Sequence, residues 1–326
     1  MRSGHWRSLL FCPGDRPDRI AKAIAAKPGA VIVDLEDSVH PSHRAEARRQ
    51  AVAALTAADD PEVTRIVRVN AAGSGEIFDD LAAVVGPWLD AVMLPKAGGP
   101  DEVGDLDGPM RELERAGGIA PGSIGIVPVI EDCAALRTVY ETAASSSRVI
   151  AMAFAGAEEG DFMADLGGRW TPEGTALHYA KSRFLCEVRA AGDLPALDGP
   201  SMHLDDPAIW ESECALSRTL GFDGKVAIHP RQLDTIHRAF TPSPEEVDEA
   251  RQLVAALDAA AADGAGVARH RGKMIDSANG RAARRILSRA GVTSGPARTW
   301  QSEGTDIGKS QRNGTRSGDG PRELGN

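Results

Sequence analysis

Short apolar runs rich in β-branched residues recur eight times in this sequence, each followed by a polar turn and a longer segment with helical spacing. Because strands that alternate strictly with helices form parallel sheets, eight repeats predict a (β/α)8 barrel, the TIM-barrel architecture. An open doubly wound sheet is the competing architecture, and it usually carries a glycine-rich phosphate-binding turn after an early strand. The first turn reads CPGDRPDR, which lacks that pattern, so the barrel is favoured.

The predicted elements divide the chain into a barrel, a C-terminal extension and a tail. We assign residues 1–240 to a catalytic barrel domain and 241–292 to a C-terminal helical extension. Residues 293–326 are rich in Gly, Ser, Thr and charge, with almost no apolar residue to anchor them, and are predicted to be disordered. The predicted strands are Ser8–Cys12, Ala30–Leu35, Arg65–Val69, Ala91–Leu94, Ile124–Ile130, Val149–Phe154, a weak one near Ala196, and Lys225–Ile228. The predicted helices are Pro17–Lys27, Pro41–Leu55, Gly75–Val85, Asp101–Ala116, Asp132–Ala144, Gly174–Ala191, Pro207–Leu220, Arg231–Phe240, Pro244–Ala261 and Ala282–Arg289.

The charge of the chain argues against nucleic-acid and membrane partners. Its 37 Lys and Arg against 47 Asp and Glu give a formal net charge of −10, whereas both kinds of partner require clustered positive charge. No apolar stretch approaches the roughly 20 residues that span a bilayer, and no signal peptide is recognisable, so we expect a cytoplasmic protein. The four cysteines are too scattered for a zinc site or a disulfide framework, and we expect reduced thiols in the core.

Charged residues follow nearly every predicted strand. In a (β/α)8 barrel the functional groups lie at the C-terminal ends of the strands, which meet at one rim. A single such residue is more simply explained as a helix cap or a solvated loop charge, but together these residues converge on one site. They are Arg16 after the first strand, Glu36 and Asp37 after the second, Arg68 in the third, Lys96 after the fourth, Glu131 and Asp132 after the fifth, Glu158, Glu159 and Asp161 after the sixth, and His229 after the eighth.

A group of carboxylates facing one cleft favours a bound cation, because without one they raise each other's pKa. Mg²⁺ is typically held by one or two carboxylates, with water and substrate oxygens completing an octahedron. Glu131 and Asp161, from adjacent strands, are the predicted pair. No zinc-type spacing of His or Cys is present. Arg68 beside such a metal suits a substrate that develops enolate or alkoxide charge.

Three residues of the rim keep an alternative interpretation. Lys96 could form a Schiff base with a carbonyl substrate, which requires a neutral amine. Arg68 could simply form an ion pair with Glu36 or Asp37 at the strand ends. His229 is either a general base or a buried, hydrogen-bonded residue at the end of its strand, because it precedes a proline that starts a helix.

Eight motifs occur in order along the chain: RSLLFCPGDRPDRI, AVIVDLEDSV, RIVRVNAAGS, DAVMLPKAG, GDFMADLG, GFDGKVAIHPRQ, FTPSPEEV and GKMID. This series resembles the HpcH/HpaI aldolase and citrate lyase family, specifically the stand-alone citrate lyase β subunit-like members and the malyl-CoA and citramalyl-CoA lyases. The resemblance covers roughly residues 6–290. It implies a (β/α)8 barrel, Mg²⁺, a coenzyme A thioester substrate, and homo-oligomers, with a trimer favoured, whose C-terminal segment covers a neighbouring active site.

The same resemblance assigns the metal ligands. Glu131 in VPVIED matches the metal-binding glutamate of the family, and Asp161 in GDFMADLG matches its aspartate. The chain reads GAEEGDFMADLG where family members read close to GAEDLAADLG, two residues shorter. Alignment from GAE would assign Glu159 instead, but the following ADLG favours Asp161. The longer loop also leaves the acyl group of the substrate open.

The resemblance implies roles for five further residues. Arg68 in RVN contacts substrate carbonyl and carboxylate oxygens, and Asp276 in GKMID is an acid or base offered to the adjacent subunit. Glu36 and Asp37 in DLED lie near the metal and its waters. Arg16 in PGDRP lies where the phosphate-bearing part of the thioester approaches.

The expected activity is that of a Mg²⁺-dependent carbon–carbon lyase. It would cleave or form a 3-hydroxyacyl-CoA, such as citramalyl-CoA, malyl-CoA or citryl-CoA, with acetyl-CoA and a 2-oxo acid as the other partners. Two alternatives stay open, a metal-dependent aldolase acting on free 2-oxo acids and a non-catalytic thioester-binding subunit of a complex.

Overall fold

Parallel strands close into a barrel in the computed structural model of the protein, which describes residues 6–58 and 60–292. The barrel strands are β1 (Ser8–Pro13), β2 (Ala30–Asp34), β3 (Thr64–Arg68), β4 (Ala91–Leu94), β5 (Gly125–Ile130), β6 (Met152–Phe154), β7 (Ala196–Asp198) and β8 (Gly224–Ala227). Each strand pairs with the next along the chain, and β8 pairs with β1 to close the ring. The predicted (β/α)8 barrel is confirmed.

Helices connect the strands and continue beyond the barrel. They are α1 (Pro17–Ala25), α2 (Arg44–Ala57), α3 (Ile77–Val84), α4 (Pro100–Ala116), α5 (Val139–Ala144), α6 (Asp161–Leu166), α7 (His178–Ala191), α8 (Pro207–Leu220), α9 (Leu233–Phe240), α10 (Pro244–Ala262) and α11 (Ser277–Arg289). Proline opens α1, α4, α8 and α10, where its missing N–H has no helical partner to lose. Within the described residues, no helix is both long and apolar enough to cross a bilayer.

Two apolar layers hold the barrel together. In β2, Ile32 points into the barrel, whereas Val31 and Val33 pack outward against the helices, as the two-residue period of a strand requires. The outer layer contains Cys12 and Cys214, but Cys186 is exposed on α7, so the expectation of core thiols is wrong for Cys186. The barrel interior is filled mainly by Leu9, Ile32, Ile66, Met93, Val127, Val129, Leu197 and Val226.

A balanced group of charges lies between the barrel and its outer helices. Asp198, the last residue of β7, accepts hydrogen bonds from the Nζ atoms of Lys181 (2.9 Å) and Lys225 (3.0 Å), and also from Ser217. Glu213 lies 3.6 Å from Lys225. Burial alone would raise the pKa of Asp198, but the charges of the two lysines hold it well below its usual range. We call Asp198, Glu213, Lys181 and Lys225 the lysine-paired cluster.

The C-terminal extension consists of a helix pair and a short hairpin. Helices α10 and α11 pack around Ala250, Ala283 and Leu287. Between them, β9 (Ala268–His270) and β10 (Lys273–Ile275) form an antiparallel hairpin that the sequence did not predict. At the end of α11, Arg289 donates to Asp223 over 3.0 Å, which ties the extension to the base of the barrel. The predicted disordered tail, residues 293–326, lies outside the described residues.

Candidate active site

A cavity of about 560 Å³ opens at the C-terminal ends of the barrel strands. Its floor is apolar, because Met93, Val129 and Val226 of the barrel interior line it. Carboxylates dominate its polar wall. The charged residues of that wall are Asp34, Asp37, Glu131, Glu159 and Asp161 with the cations Arg19 and Arg68.

Arg68, the last residue of β3, is held at this cavity by Asp34, the last residue of β2. The two are register partners in the sheet, and Arg68 donates from Nε and Nη2 to the two Asp34 oxygens over 2.6 and 2.8 Å. Its Nη1 lies 3.1 Å from Glu36 Oε2, and its guanidinium stands over the Phe11 ring at 4.9 Å. Arg68 therefore does form ion pairs at the strand ends, as its alternative interpretation proposed. The same contacts fix its guanidinium at the cavity wall.

Lys96 follows β4 and reaches the same carboxylates from the other side. Its Nζ donates to Glu36 Oε1 over 2.5 Å and lies 3.5 Å from carboxylate oxygens of both Asp37 and Asp161. Burial alone would lower the pKa of Lys96, but the hydrogen bond and charge of Glu36 raise it above its ordinary value. The amine is therefore protonated, and a Schiff-base mechanism at Lys96 is disfavoured.

Glu131, directly after β5, is a buried carboxylate with little compensation. The backbone N–H of Lys96 donates to its Oε1 over 3.3 Å. Burial raises the pKa of Glu131 to about 7, even though the charge of Arg68 and that hydrogen bond lower it; the charge of Glu36 raises it further. A divalent cation would supply the compensation that its ionised form lacks.

Asp161 and Glu159 both reach the cavity, but in different settings. Asp161 is the first residue of α6, a short helix that the sequence did not predict, and its carboxylate lies 3.5 Å from Lys96. Glu159 lies in the preceding loop with a φ of 59°, in the left-handed region. Glu158 turns away to His203, with 2.7 Å between carboxylate oxygen and Nε2. These contacts group Asp161 with Glu131 around Lys96, and the assignment of Asp161 as a ligand stays a prediction.

Two positive charges stand among five negative ones at this rim. The potential metal ligands that face the cavity are carboxylate oxygens, which hard divalent cations prefer. The described residues contain no group of three or more His, Cys, Asp or Glu placed to hold a metal. A site with one or two protein carboxylates, completed by water and substrate oxygens, is typical of Mg²⁺. Glu36 Oε2 is buried and receives no hydrogen bond from the described residues. We call Asp34, Glu36, Asp37, Glu131, Asp161, Arg68 and Lys96 the acidic cluster.

The structure places Arg16, Asp276 and His229 apart from both the cavity wall and the acidic cluster. Arg16 is exposed beside Asp15, and Arg19 lines the cavity instead. Asp276 caps the start of α11, accepting from the N–H groups of residues 278 and 279, and it is exposed. His229 accepts from the backbone N–H of Arg231 over 3.1 Å and caps the turn after β8. It is half-buried rather than buried, so its structural interpretation holds for the hydrogen bond but not for the burial.

The sequence did not predict the contacts that Asp34 and Lys96 make in the acidic cluster. Asp34 was not singled out, although the register of β2 and β3 places it beside Arg68. A search for opposite charges at the ends of adjacent strands would have found it. Lys96 was predicted at the rim and considered as a nucleophile, but its contacts with four carboxylates were not predicted, because they depend on the fold around it.

Comparison with known proteins gives consistent matches. A family model described as HpcH/HpaI aldolase/citrate lyase matches residues 7–230. The citrate lyase subunit beta of Escherichia coli strain K12 is 38% identical over 284 residues, covering 87% of this chain and 93% of that protein. The L-malyl-CoA/beta-methylmalyl-CoA lyase of Cereibacter sphaeroides strain ATCC 17029 is 33% identical over 309 residues, covering 88% and 95%.

A solved structure shows the same fold over most of the chain. The protein CitE from Mycobacterium tuberculosis, in complex with magnesium, acetoacetate and coenzyme A, superposes with a TM-score of 0.68 and 31% identity, covering 89% of this chain and 99% of that one. Together the matches confirm the predicted resemblance, the barrel fold and the expectation of a lyase-type enzyme.

Proposed function

This chain belongs to the HpcH/HpaI aldolase/citrate lyase family, and from that premise we propose that it is a Mg²⁺-dependent carbon–carbon lyase. The proposed substrate is a 3-hydroxyacyl-CoA such as malyl-CoA, citramalyl-CoA or citryl-CoA, and the products are acetyl-CoA and a 2-oxo acid. The observation that carries the proposal is the acidic cluster, whose surplus of carboxylates faces a cavity that also presents Arg68.

The ligands of the relatives support the choice of metal and thioester. The Cereibacter relative is named for malyl-CoA and beta-methylmalyl-CoA. The Mycobacterium structures hold magnesium with coenzyme A and acetoacetate in one case and with oxaloacetate in another. A substrate that joins a coenzyme A thioester to a 2-oxo acid fragment is consistent with both observations.

The proposed mechanism assigns a task to each group around the cavity. Held by Glu131 and Asp161, Mg²⁺ would supply the Lewis acidity that lowers the pKa of the substrate hydroxyl. One carboxylate of the Glu36–Asp37 pair accepts the single hydroxyl proton through water. The O–H electron pair then forms the new C=O as the carbon–carbon bond breaks. The electrons of that bond pass to the acetyl-CoA enolate, whose oxyanion the fixed guanidinium of Arg68 stabilises.

Protonation of the enolate carbon completes the reaction, and we assign it to Asp276 of a neighbouring subunit. Within one chain Asp276 caps α11 outside the cavity, so this role requires an oligomer. Mixing inactive E131Q chains with inactive D276N chains tests it. Recovery of activity after subunit exchange is expected, because some hybrid sites combine an intact Glu131 with an intact Asp276, whereas no recovery would contradict the assignment.

The direct test of the proposed function is release of 2-oxo acid from malyl-CoA, citramalyl-CoA and citryl-CoA, each with Mg²⁺ and with EDTA. Metal-dependent release from one thioester, lost in E131Q, is the expected result. Release from the free hydroxy acids at equal rates would favour an aldolase that needs no coenzyme A. Absence of release from all of them would favour a thioester-binding subunit.

A further inference from the structure

Lys96 contacts four carboxylates of the acidic cluster, whereas Arg68 contacts three. Its Nζ lies within 3.5 Å of carboxylate oxygens of Glu36, Asp37 and Asp161. Its backbone N–H donates to Glu131 over 3.3 Å. One residue therefore contacts both proposed metal ligands and both acidic residues assigned to their waters.

The backbone of Lys96 is shaped for this position. Its φ of 50° lies in the left-handed region, which a residue with a side chain rarely adopts and which costs free energy. The following Ala97 is buried, and its N–H donates to the carbonyl of Val129 in the neighbouring strand, which anchors the turn. The strained turn directs the Lys96 N–H and the Lys96 side chain at the same acidic cluster.

We propose that Lys96 is a positioning residue of the metal site, a resident counter-cation that holds the cluster together until a divalent cation replaces it at Asp161. The inference rests on the proposed metal site of Glu131 and Asp161. Arg68 does not serve in this way, because two hydrogen bonds commit it to Asp34. Lys96 has a single short hydrogen bond, to Glu36, and stands at 3.5 Å from Asp161.

The charge of Lys96 should oppose metal binding while its contacts preserve the shape of the site. An ammonium and a divalent cation that share one carboxylate repel each other, and the repulsion is strong in a partly buried setting. Without the ammonium, five carboxylates face Arg68 alone, and their mutual repulsion is relieved by metal instead. If Lys96 only stabilised the shape of the site, its removal would instead weaken Mg²⁺ binding.

The test is calorimetric titration of Mg²⁺ into EDTA-stripped protein. The main variant is K96N, because asparagine removes the charge and tolerates the left-handed conformation. We expect K96N to bind Mg²⁺ at least tenfold more tightly than the wild type. The matched control is R19M, which removes a cation of the cavity wall that forms no ion pair with the acidic cluster among the described residues. We expect its Mg²⁺ affinity to stay within about twofold of wild type, since the field of a solvent-exposed charge is screened.

Three outcomes separate the inference from its premise. If the wild type binds no Mg²⁺, the proposed metal site itself is wrong. Where the wild type binds but K96N binds with equal or lower affinity, Lys96 does not compete with the metal and the inference is overturned. Equal tightening in R19M and K96N would also overturn it, since the effect would then be a general one of charge.

A second measurement covers the case in which K96N does not fold without metal. The account then predicts that Mg²⁺ restores the folded state, because the divalent cation takes over the place of the ammonium. This is read from the far-ultraviolet circular dichroism and the thermal midpoint with and without Mg²⁺. Failure of Mg²⁺ to restore folding would contradict the proposal.

Discussion

The acidic cluster and the lysine-paired cluster are built from the same kinds of residue at two places in one barrel. The lysine-paired cluster sets two lysines against two carboxylates, and Asp198 receives direct hydrogen bonds from both lysines. The acidic cluster sets Arg68 and Lys96 against five carboxylates. From these two basic residues, Glu131 accepts a single hydrogen bond, donated by the backbone N–H of Lys96. The charges of the lysine-paired cluster balance, whereas the acidic cluster has fewer positive than negative charges.

The pKa values of the two clusters show what this difference does. The pKa of Asp198 lies well below its usual range, because the lysine charges outweigh the effect of its burial. The pKa of Glu131 rises to about 7, because burial outweighs the charge of Arg68. Burial is therefore compensated at Asp198, where the charges balance, whereas at Glu131 it leaves an ionised form that lacks compensation, which is the basis of the proposed cation site.

The largest expected effect concerns the balanced cluster. D198N would leave Lys181 and Lys225 buried without their shared partner, and breaking a buried ion pair in this way costs about 3–5 kcal/mol of unfolding free energy. Urea denaturation at pH 7 measures it. The control is D193N, which removes an exposed carboxylate 3.3 Å from Arg285 and should cost less than about 1 kcal/mol. A similarly small loss in D198N would contradict the account of this cluster.

A second effect follows from the lowered pKa of Asp198. A carboxylate whose folded pKa lies below its unfolded value contributes stability that is present above about pH 4 and is lost as the pH falls towards the folded pKa. The stability difference between wild type and D198N should therefore shrink by about 1.4 kcal/mol per pH unit below pH 4. Urea midpoints measured from pH 3 to pH 6 report this slope, and a constant difference would count against it.

The acidic cluster should respond with the opposite sign when a buried carboxylate is removed. Because the pKa of Glu131 is raised to about 7, its ionised form is penalised in the folded state at pH 8. E131Q removes that penalty, and we expect it to be about 1–2 kcal/mol more stable than the metal-free wild type. Urea denaturation in EDTA tests this, with E159Q, an exposed carboxylate of the same cavity, as the control that should not change. Destabilisation of E131Q would remove the contrast between the clusters.

The barrel was predictable because its signal repeats. Each apolar run is bounded by polar turns, and the observed strands begin and end within three residues of the predicted ones. Helix α6 has only six residues between Gly160 and Gly167, too few for a helical period to show. The three-residue strands of the β9–β10 hairpin gave no alternating pattern either.

The sequence predicted where the residues of the candidate site lie, but not which residues they contact. Glu36, Arg68 and Glu131 follow from the rule that barrel chemistry lies at the C-terminal strand ends. The partners depend on register and backbone conformation, which short runs do not reveal. Asp34 meets Arg68 because β2 and β3 are paired in that register, and Lys96 meets four carboxylates from a left-handed turn.

The smallest expected effect separates the two candidate ligands of the α6 loop. If Asp161 binds the metal, D161N should weaken Mg²⁺ binding at least tenfold, about 1.4 kcal/mol. E159Q should change the affinity no more than about twofold, because among the described residues the Lys96 ammonium forms its ion pairs with Glu36, Asp37 and Asp161 and not with Glu159. Calorimetry of both variants decides between them, and the reverse ranking would move the ligand to Glu159.

The central claim is that the charge deficit around Glu131 is a site for a divalent cation, and the most direct measurement is Mg²⁺ binding to wild type and E131Q side by side. The account predicts one Mg²⁺ per wild-type chain and no detectable binding at millimolar Mg²⁺ in E131Q that remains folded. Equal stoichiometry and affinity in the two proteins would contradict it.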